Sequence, residues 1–442
     1  MIGFFKKKEQ KNINIRDKFN WINGIENQRL ELSEQDLEER LLEIKSVHGF
    51  LKSKEGEILI NTLFKDMIEI GFPEASTKIE LDLLSEIFSP ETLIKMFFNP
   101  SNGLENSYYN GRFNDFVKVD DRFAYIIAPK GFILIVGSSN TILPVITSII
   151  LSYICGNVTV CQLSKLNSEI ISKFINSIPS NCSKYTHYTN LDHTETCDVD
   201  ILKQILVEIP WNVINVWGGE EANSFYFQNI SKNPSRPRIL NMEALTGIVI
   251  IQKSFLENNL KKISSELALS ICEMGQQLCS SPTEGFILND CNNTEIDNEF
   301  FISLIDDLEK NFIDFADFET SYFKLDRMLT NAQDNKSKVY NSKKYGNKIS
   351  IVKSENQSIF RKIDNDQNLT IHERRNFLEL IEVKSFELIL QLIKNINKKN
   401  THREIKKIQT ILVFGEQEFN TNVLKLAKKI GAYRVVDYNY IF

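Results

Sequence analysis

The chain has 442 residues, more than one hydrophobic core serves, so two or three domains are expected. Apolar residues at 42% and charged residues at 25% are the proportions of an ordinary globular protein and exclude a disordered or fibrous chain. A net charge of −6 argues against a nucleic-acid or anionic-membrane partner, and seven cysteines without a CxxC pair argue against zinc ligation and a disulfide framework, which points to a reducing, cytoplasmic setting.

The opening MIGFFKKKEQKN places its apolar residues before its lysines and holds no apolar run of signal-peptide length, so no secretory signal is read. Residues 1–30 are polar and asparagine-rich and are expected to be loosely ordered. Ser33-Glu34-Gln35-Asp36 resembles a capping box, with Leu37, Leu41, Leu42 and Ile44 following at helical spacing. Further helices are expected over 57–70 and 78–88 and from Pro90, a favoured first helical position. This preface, residues 1–110, reads as a helical packing layer without chemistry.

The texture changes after an Asn-, Gly- and Ser-rich loop at 99–112. Strands are expected at 123–127 and 132–136, then a loop at 137–141 and a buried helix over 142–155. That helix contains Pro144 and is too short to span a bilayer. Gly156-Asn157 stops it and a strand follows at 158–161, which completes a βαβ unit. Helices at 167–178 and 199–209 and strands at 213–216 and 247–252 continue the pattern. The stretch 179–198, with His187 and His193, reads as irregular and its histidines as solvated. Residues 111–252 therefore form the candidate cofactor domain, a doubly wound sheet. The GxGxxG fingerprint is absent, but Gly218-Gly219 between a strand and a helix would admit a phosphate or ribose close to the backbone. A plain glycine turn fits these two residues equally well.

Residues 253–442 are again α/β. One or two helices cover 253–274, and the turn in ICEMGQQLCSSPTEGF carries Cys279 ahead of a strand that starts near Phe286. A helix is expected at 295–315, loop with short strands at 331–355, mixed structure at 377–395, strands at 408–414 and 433–438, and a helix at 419–430. A thiol between a helix and a strand, among small polar residues, is held rigidly and stays reachable. The competing reading is core filler, the usual lot of a free cysteine. Cys155, Cys161 and Cys272 read as core, whereas Cys182, Cys197 and Cys291 lie in polar segments.

Attack of a thiolate on a carbonyl creates an oxyanion that needs donors already in place. The Cys279 N–H and the side-chain amide of Asn140, on the loop after a sheet strand, are the candidates. Glu243, just before a strand, is the candidate general base, but it lies 36 residues ahead of Cys279 and spacing alone does not bring the two together.

Five segments, in order, resemble an acyl-CoA reductase of the LuxC type, a branch of the aldehyde dehydrogenase superfamily. They are Pro129-Lys130-Gly131 with the strand leading to Asn140, Gly156-Asn157-Val158-Thr159-Val160, Val216-Trp217-Gly218-Gly219-Glu220-Glu221, Gln276-Gln277-Leu278-Cys279-Ser280-Ser281-Pro282, and Ile408-Gln409-Thr410-Ile411. The resemblance implies an aldehyde-dehydrogenase-like α/β fold with a Rossmann-like cofactor domain and a catalytic domain. It implies that Cys279 takes the acyl group from an acyl-CoA or acyl carrier protein as an enzyme thioester, and that Asn140 and the Cys279 N–H hold the oxyanion. Reduction by NADPH, or by NADH, then releases a fatty aldehyde. Ser138, Gln162, Gly218 and Gly219 fall at the cofactor, and Glu243 falls where oxidising relatives keep a base. Partner enzymes that supply the acyl group and consume the aldehyde, and a homo-oligomer, are further implications.

Three departures from the family pattern stand out. Gln162 replaces a lysine that holds the adenosine ribose, which weakens the grip on a 2′-phosphate unless Lys165 substitutes. Asn140 is followed by Ile142, with the proline delayed to Pro144. The chain ends soon after its last strand, which bears on arm-mediated oligomer contacts. Two other readings remain open here: an NAD-dependent aldehyde dehydrogenase working oxidatively with Glu243 as base, and an acyl-holding subunit without hydride chemistry.

Overall fold

The computed structural model describes residues 15–72, 74–89, 91–93, 116–118, 124–126, 129–138, 141–192, 194–218, 220–242, 246–272, 276, 280–289, 298–311, 337–355, 376–399 and 408–437. It divides into two compact units, residues 1–70 with 77–243 and residues 71–76 with 244–442.

The first unit carries the helical preface. Part of the asparagine-rich start is ordered: Ile15–Lys18 and Asn20–Asn23 are helical turns, and α1 runs over Ile25–Glu34. Buried Ile15, Ile25 and Leu32 anchor these turns, and an average composition hides such sparse anchors. Asp36, rather than Ser33, stands at the N-cap of α2 (Leu37–Leu51), because Ser33 lies inside α1. α3 covers Lys54–Glu69, capped by Ser53 Oγ, and α4 covers Glu74–Ile87. Arg40 of α2 is buried, and its guanidinium donates to the carbonyls of Ile154, Leu32 and Gln35. One planar cation thereby ties together carbonyls at the ends of two helices.

A short antiparallel pair, β1 (Phe116–Lys118) and β2 (Ala124–Ile126), precedes the main sheet. That sheet has five parallel strands in the order β5-β4-β3-β6-β7. β3 is Phe132–Val136, β4 Val158–Gln162, β5 Thr186–Thr189, β6 Val213–Trp217 and β7 Arg238–Met242. The helices between them are α5 (Leu143–Ile154), α6 (Lys165–Ser177), α7 (Thr196–Glu208) and α8 (Glu220–Ile230). α2 packs on α5 and α3 on α6, so the preface covers one helical layer of the sheet. β3 is apolar throughout and β4 is buried throughout, with Thr159 and Gln162 among its residues, because both faces are covered.

The flanking strands β5 and β7 depart from expectation: both are short, β5 is polar, and β7 is partly exposed along its whole length, as edge strands tend to be. His187 therefore sits in a strand rather than in a solvated loop. Its ring stacks on Trp21 at 5.5 Å, and Nε2 donates to Gln28 Oε1 at 2.6 Å. Burial pushes its pKa down to about 4. The unfolded chain then binds a proton that the fold refuses, so stability should be full above the ordinary histidine range and fall as the pH drops toward 4. Urea unfolding of wild type and His187→Gln across that window checks this, and the variant should lose that part of the slope.

The second unit is a seven-stranded sheet in the order β10-β11-β12-β9-β8-β13-β14. β8 (Thr246–Gln252) was expected in the first sheet but pairs here with β9 (Pro282–Leu288) and β13 (Ile408–Phe414). A continuous apolar run marks a buried strand without saying which sheet receives it. β10 (Ser337–Ser342) and β11 (Gly346–Glu355) form an antiparallel hairpin, while β12 (Phe377–Val383) and β14 (Arg434–Asp437) are parallel to their neighbours. α9 (Lys253–Cys272, with non-helical backbone at Asn259) and α10 (Asn298–Asn311) cover one face through Val249, Ile251, Leu267 and Phe300. α11 (Phe386–Lys399) and α12 (Gln417–Ile430) cover the other through Ile248, Ile250, Ile389 and Val423. Alternate residues of β8 thus feed opposite cores. Among the described residues no helix is long and apolar enough to cross a membrane.

Candidate active site

The carboxyl ends of β4, β3 and β6 lie side by side, with Val136 in register with Gln162 on one flank and Val216 on the other. In a doubly wound sheet ligands settle beyond this edge, where neighbouring strands send the chain to opposite sides. The order β5-β4-β3-β6-β7 puts that point between β3 and β6. The structure so groups Ser138, Gln162 and Gly218, each at the end of its strand.

Local packing fixes the loops that carry them. A Cβ on Gly137 would fall 2.7 Å from Leu163 Cδ2 and 2.8 Å from Val145 Cγ2, so any side chain there would displace these two. The Ser138 carbonyl accepts from Nδ2 of buried Asn167 at 2.8 Å. Asn223 Nδ2 holds the Gly218 carbonyl at 2.7 Å. Neither asparagine was singled out from the sequence, though Asn167 follows Ser164 at capping distance.

The helix N-termini at this edge differ. That of α5 is already filled by buried Glu80 of α4, whose Oε1 accepts from the Thr141 hydroxyl and from the N–H groups of Ile142 at 2.7 Å and Leu143 at 2.9 Å. That of α6 is capped by Ser164 Oγ. α8 begins just past Gly218, where a Cβ would meet Ala222 Cβ at 3.0 Å. The buried Trp217 Nε1 beside it has no hydrogen-bond partner among the described residues. The Glu80 carboxylate already occupies the N-terminus of α5, whereas α8 opens with Glu220 and Glu221 behind the bare backbone of Gly218. The switch point of the sheet, where a doubly wound fold takes its ligand, lies beside Gly218. Gln162 does not offer a grip on a phosphate: it is 5% exposed and its Nε2 donates to the Leu191 carbonyl. Lys165 opens α6 and is exposed.

Cys279, Asn140, Glu243 and Gly219 lie outside the described residues. Their chain neighbours are placed. Gly247 is in register with Pro282, and its N–H donates to the Ser281 carbonyl at 3.2 Å. A Cβ there would lie 2.1 Å from the Ser280 carbonyl oxygen, so β8 presses on the backbone that follows Cys279. Gln276, which sequence reasoning passed over as a role-bearing residue, is 1% exposed with a left-handed φ of 63°.

The described cysteines are unpaired and poorly suited to attack. Burial pushes the Cys155 thiol up to about 11 and those of Cys182 and Cys272 up to about 12, and it raises Cys161 well above the usual range. A buried protonated thiol is inert. Cys182, expected in a polar segment, is fully buried beneath the edge of the sheet. Among the described residues no cluster of His, Cys, Asp and Glu has a metal-holding arrangement.

The family model of acyl-CoA reductase (LuxC) matches residues 103–440. The chain belongs to this family. It is an oxidoreductase of aldehyde and acyl chemistry with an aldehyde-dehydrogenase fold. The fold is similar to that of an NAD-dependent benzaldehyde dehydrogenase from Corynebacterium glutamicum, at 10% identity and a TM-score of 0.66 over 94% of this chain and 84% of that one. It is also similar to succinic semialdehyde dehydrogenase from Streptococcus pyogenes in complex with NADP+, at 16% identity and a TM-score of 0.65 over 97% and 88%. A cysteine-to-alanine variant of aldehyde dehydrogenase C from Pseudomonas syringae, complexed with NAD+ and octanal, matches at 13% identity and a TM-score of 0.67 over 95% and 81%. No curated protein matches the chain.

Proposed function

We propose that this family member reduces a long-chain acyl thioester, acyl-CoA or acyl carrier protein, to an aldehyde through a thioester on Cys279. The observation that carries the reading is the family match over 103–440, which takes in every candidate site residue. The Cys279 thiolate attacks the acyl carbonyl, the tetrahedral oxyanion collapses, and the bond to the carrier sulfur breaks. The carrier leaves as thiolate and takes a proton from solvent. The Asn140 side-chain amide and the Cys279 N–H hold the oxyanion during both the rise and the collapse of that adduct. A bound reduced nicotinamide, NADPH with NADH as the alternative, supplies the hydride that turns the enzyme thioester into aldehyde and frees the thiolate.

Gly218 and Gly219 hold its diphosphate at the start of α8, with Ser138 and Gln162 along the same edge. Glu243 serves as base for hydrolytic or oxidative turnover and contributes little to reduction. The cytoplasm supplies the reduced thiols and acyl carriers this chemistry needs, and enzymes that deliver the acyl group and consume the aldehyde are the fitting partners. A homo-oligomer is part of the same reading.

Octanal, held by one structural neighbour, suggests the shortest probe. The protein with octanoyl-CoA or hexadecanoyl-CoA and NADPH or NADH is expected to release one CoA per aldehyde trapped. No aldehyde with any pair would overturn the reading. Oxidation of octanal with NAD+, lost in Glu243→Gln, would replace it by the oxidative one.

A further inference from the structure

We propose that Gln276 is the positioning residue of the nucleophile turn: its side-chain amide ties the start of the turn to the first residues of two neighbouring strands. The inference rests on Cys279 as nucleophile. Gln276 Nε2 donates to the Pro282 carbonyl at 2.7 Å and to the Phe377 carbonyl at 2.7 Å, and Oε1 accepts from the Phe377 N–H at 2.8 Å. Both amide hydrogens and the carbonyl are in use, so the group is satisfied while buried.

The placement explains why an amide is needed. Pro282 opens β9 and Phe377 opens β12, but the pairing of these strands starts only at Glu379 with Glu284. Pro282 has no N–H to offer a neighbour. The Gln276 side chain fills this gap and stands in for the missing ladder, one edge on Phe377 and one hydrogen on Pro282. Gln277 to Ser281, including Cys279, is the chain between the residue that donates and the strand that accepts. Both ends of this short segment are thereby tied by one group. A left-handed φ of 63° at a non-glycine residue persists where the surroundings over-determine it, and these three bonds do so. Glutamate would set a carboxylate against two carbonyl oxygens, and methionine would leave all three backbone groups without partners.

The test is the single-turnover rate of acyl transfer to Cys279 from octanoyl-CoA, followed by intact-protein mass, on wild type, Gln276→Gly and Gln276→Glu. Glycine accepts φ of 63° without strain and deletes the amide, so that variant keeps the backbone. Expected is a rate at least about tenfold lower in both variants, read as a lower maximal rate at unchanged half-saturation, with nicotinamide binding as in wild type. Acyl transfer at the wild-type rate in the folded variants would overturn the proposal. Loss of the fold in both would overturn it too, since the amide would then serve the fold and not the turn. Absence of the adduct in wild type would instead remove Cys279 as nucleophile, a separate failure.

Discussion

Replacing Cys279 by alanine is expected to lower aldehyde formation by at least about a thousandfold while cofactor binding and the far-ultraviolet spectrum stay as in wild type. The size of the loss follows from the absence of a substitute among the described residues. Cys161, Cys182 and Cys272 are buried, and the thiols of Cys155, Cys182 and Cys272 are pushed up to about 11, 12 and 12. At neutral pH none of them holds a thiolate to offer. Serine in place of Cys279 should do little better, since its hydroxyl has no comparable acidity. Steady-state rates of aldehyde release, with nucleotide titration as control, check this.

The second large effect is expected at Glu80, far from Cys279 in sequence. Glu80→Ala removes the acceptor for one hydroxyl and two N–H groups at the start of α5, the segment that directly follows Asn140. Leaving those buried and partly buried donors unpaired should cost about 3 kcal/mol of stability. If Asn140 holds the oxyanion, loosening its loop should also remove up to about a hundredfold in kcat, the scale of one lost donor. Burial raises the Glu80 carboxyl above the ordinary carboxylate range, against the pull of its three hydrogen bonds. The fold then binds a proton more readily than the unfolded chain. Its contribution to stability is therefore fully present below the ordinary range and declines as the pH rises through the raised value. Glu80→Gln keeps an acceptor and loses this slope. Unfolding midpoints for the three proteins at several pH values separate the two effects.

Much of the fold was legible because it is written in local pattern. The apolar run of β3, the Val158-Thr159-Val160 run of β4 and the apolar end of β13 announce buried parallel strands, and Gly156-Asn157 marks the stop between α5 and β4. The edge strands β5 and β7 were not legible, since β5 has the polar composition of a loop and β7 is a run of five residues broken by Asn241 and opened by Arg238. The sheet that receives β8 is a matter of long-range pairing, which no window of sequence contains.

The site divides in the same way. Cys279 and Gly218 stand in recognisable segments, whereas the supporting groups act across the chain: Glu80 reaches Thr141 over 61 residues, and Gln276 reaches Phe377 over 101. His187 was misplaced for that reason as well, because Trp21 and Gln28, which bury and bond it, come from the N-terminal helices.

The most direct test of the account is intact-protein mass after incubation with hexadecanoyl-CoA and no cofactor, on wild type and Cys279→Ser. The account predicts one acyl adduct on wild type, none on the variant, and discharge of the adduct as aldehyde once NADPH or NADH is added. Folded wild type without any adduct would contradict the thioester route, and an adduct that persists with either cofactor would contradict the reduction and favour an acyl-holding role.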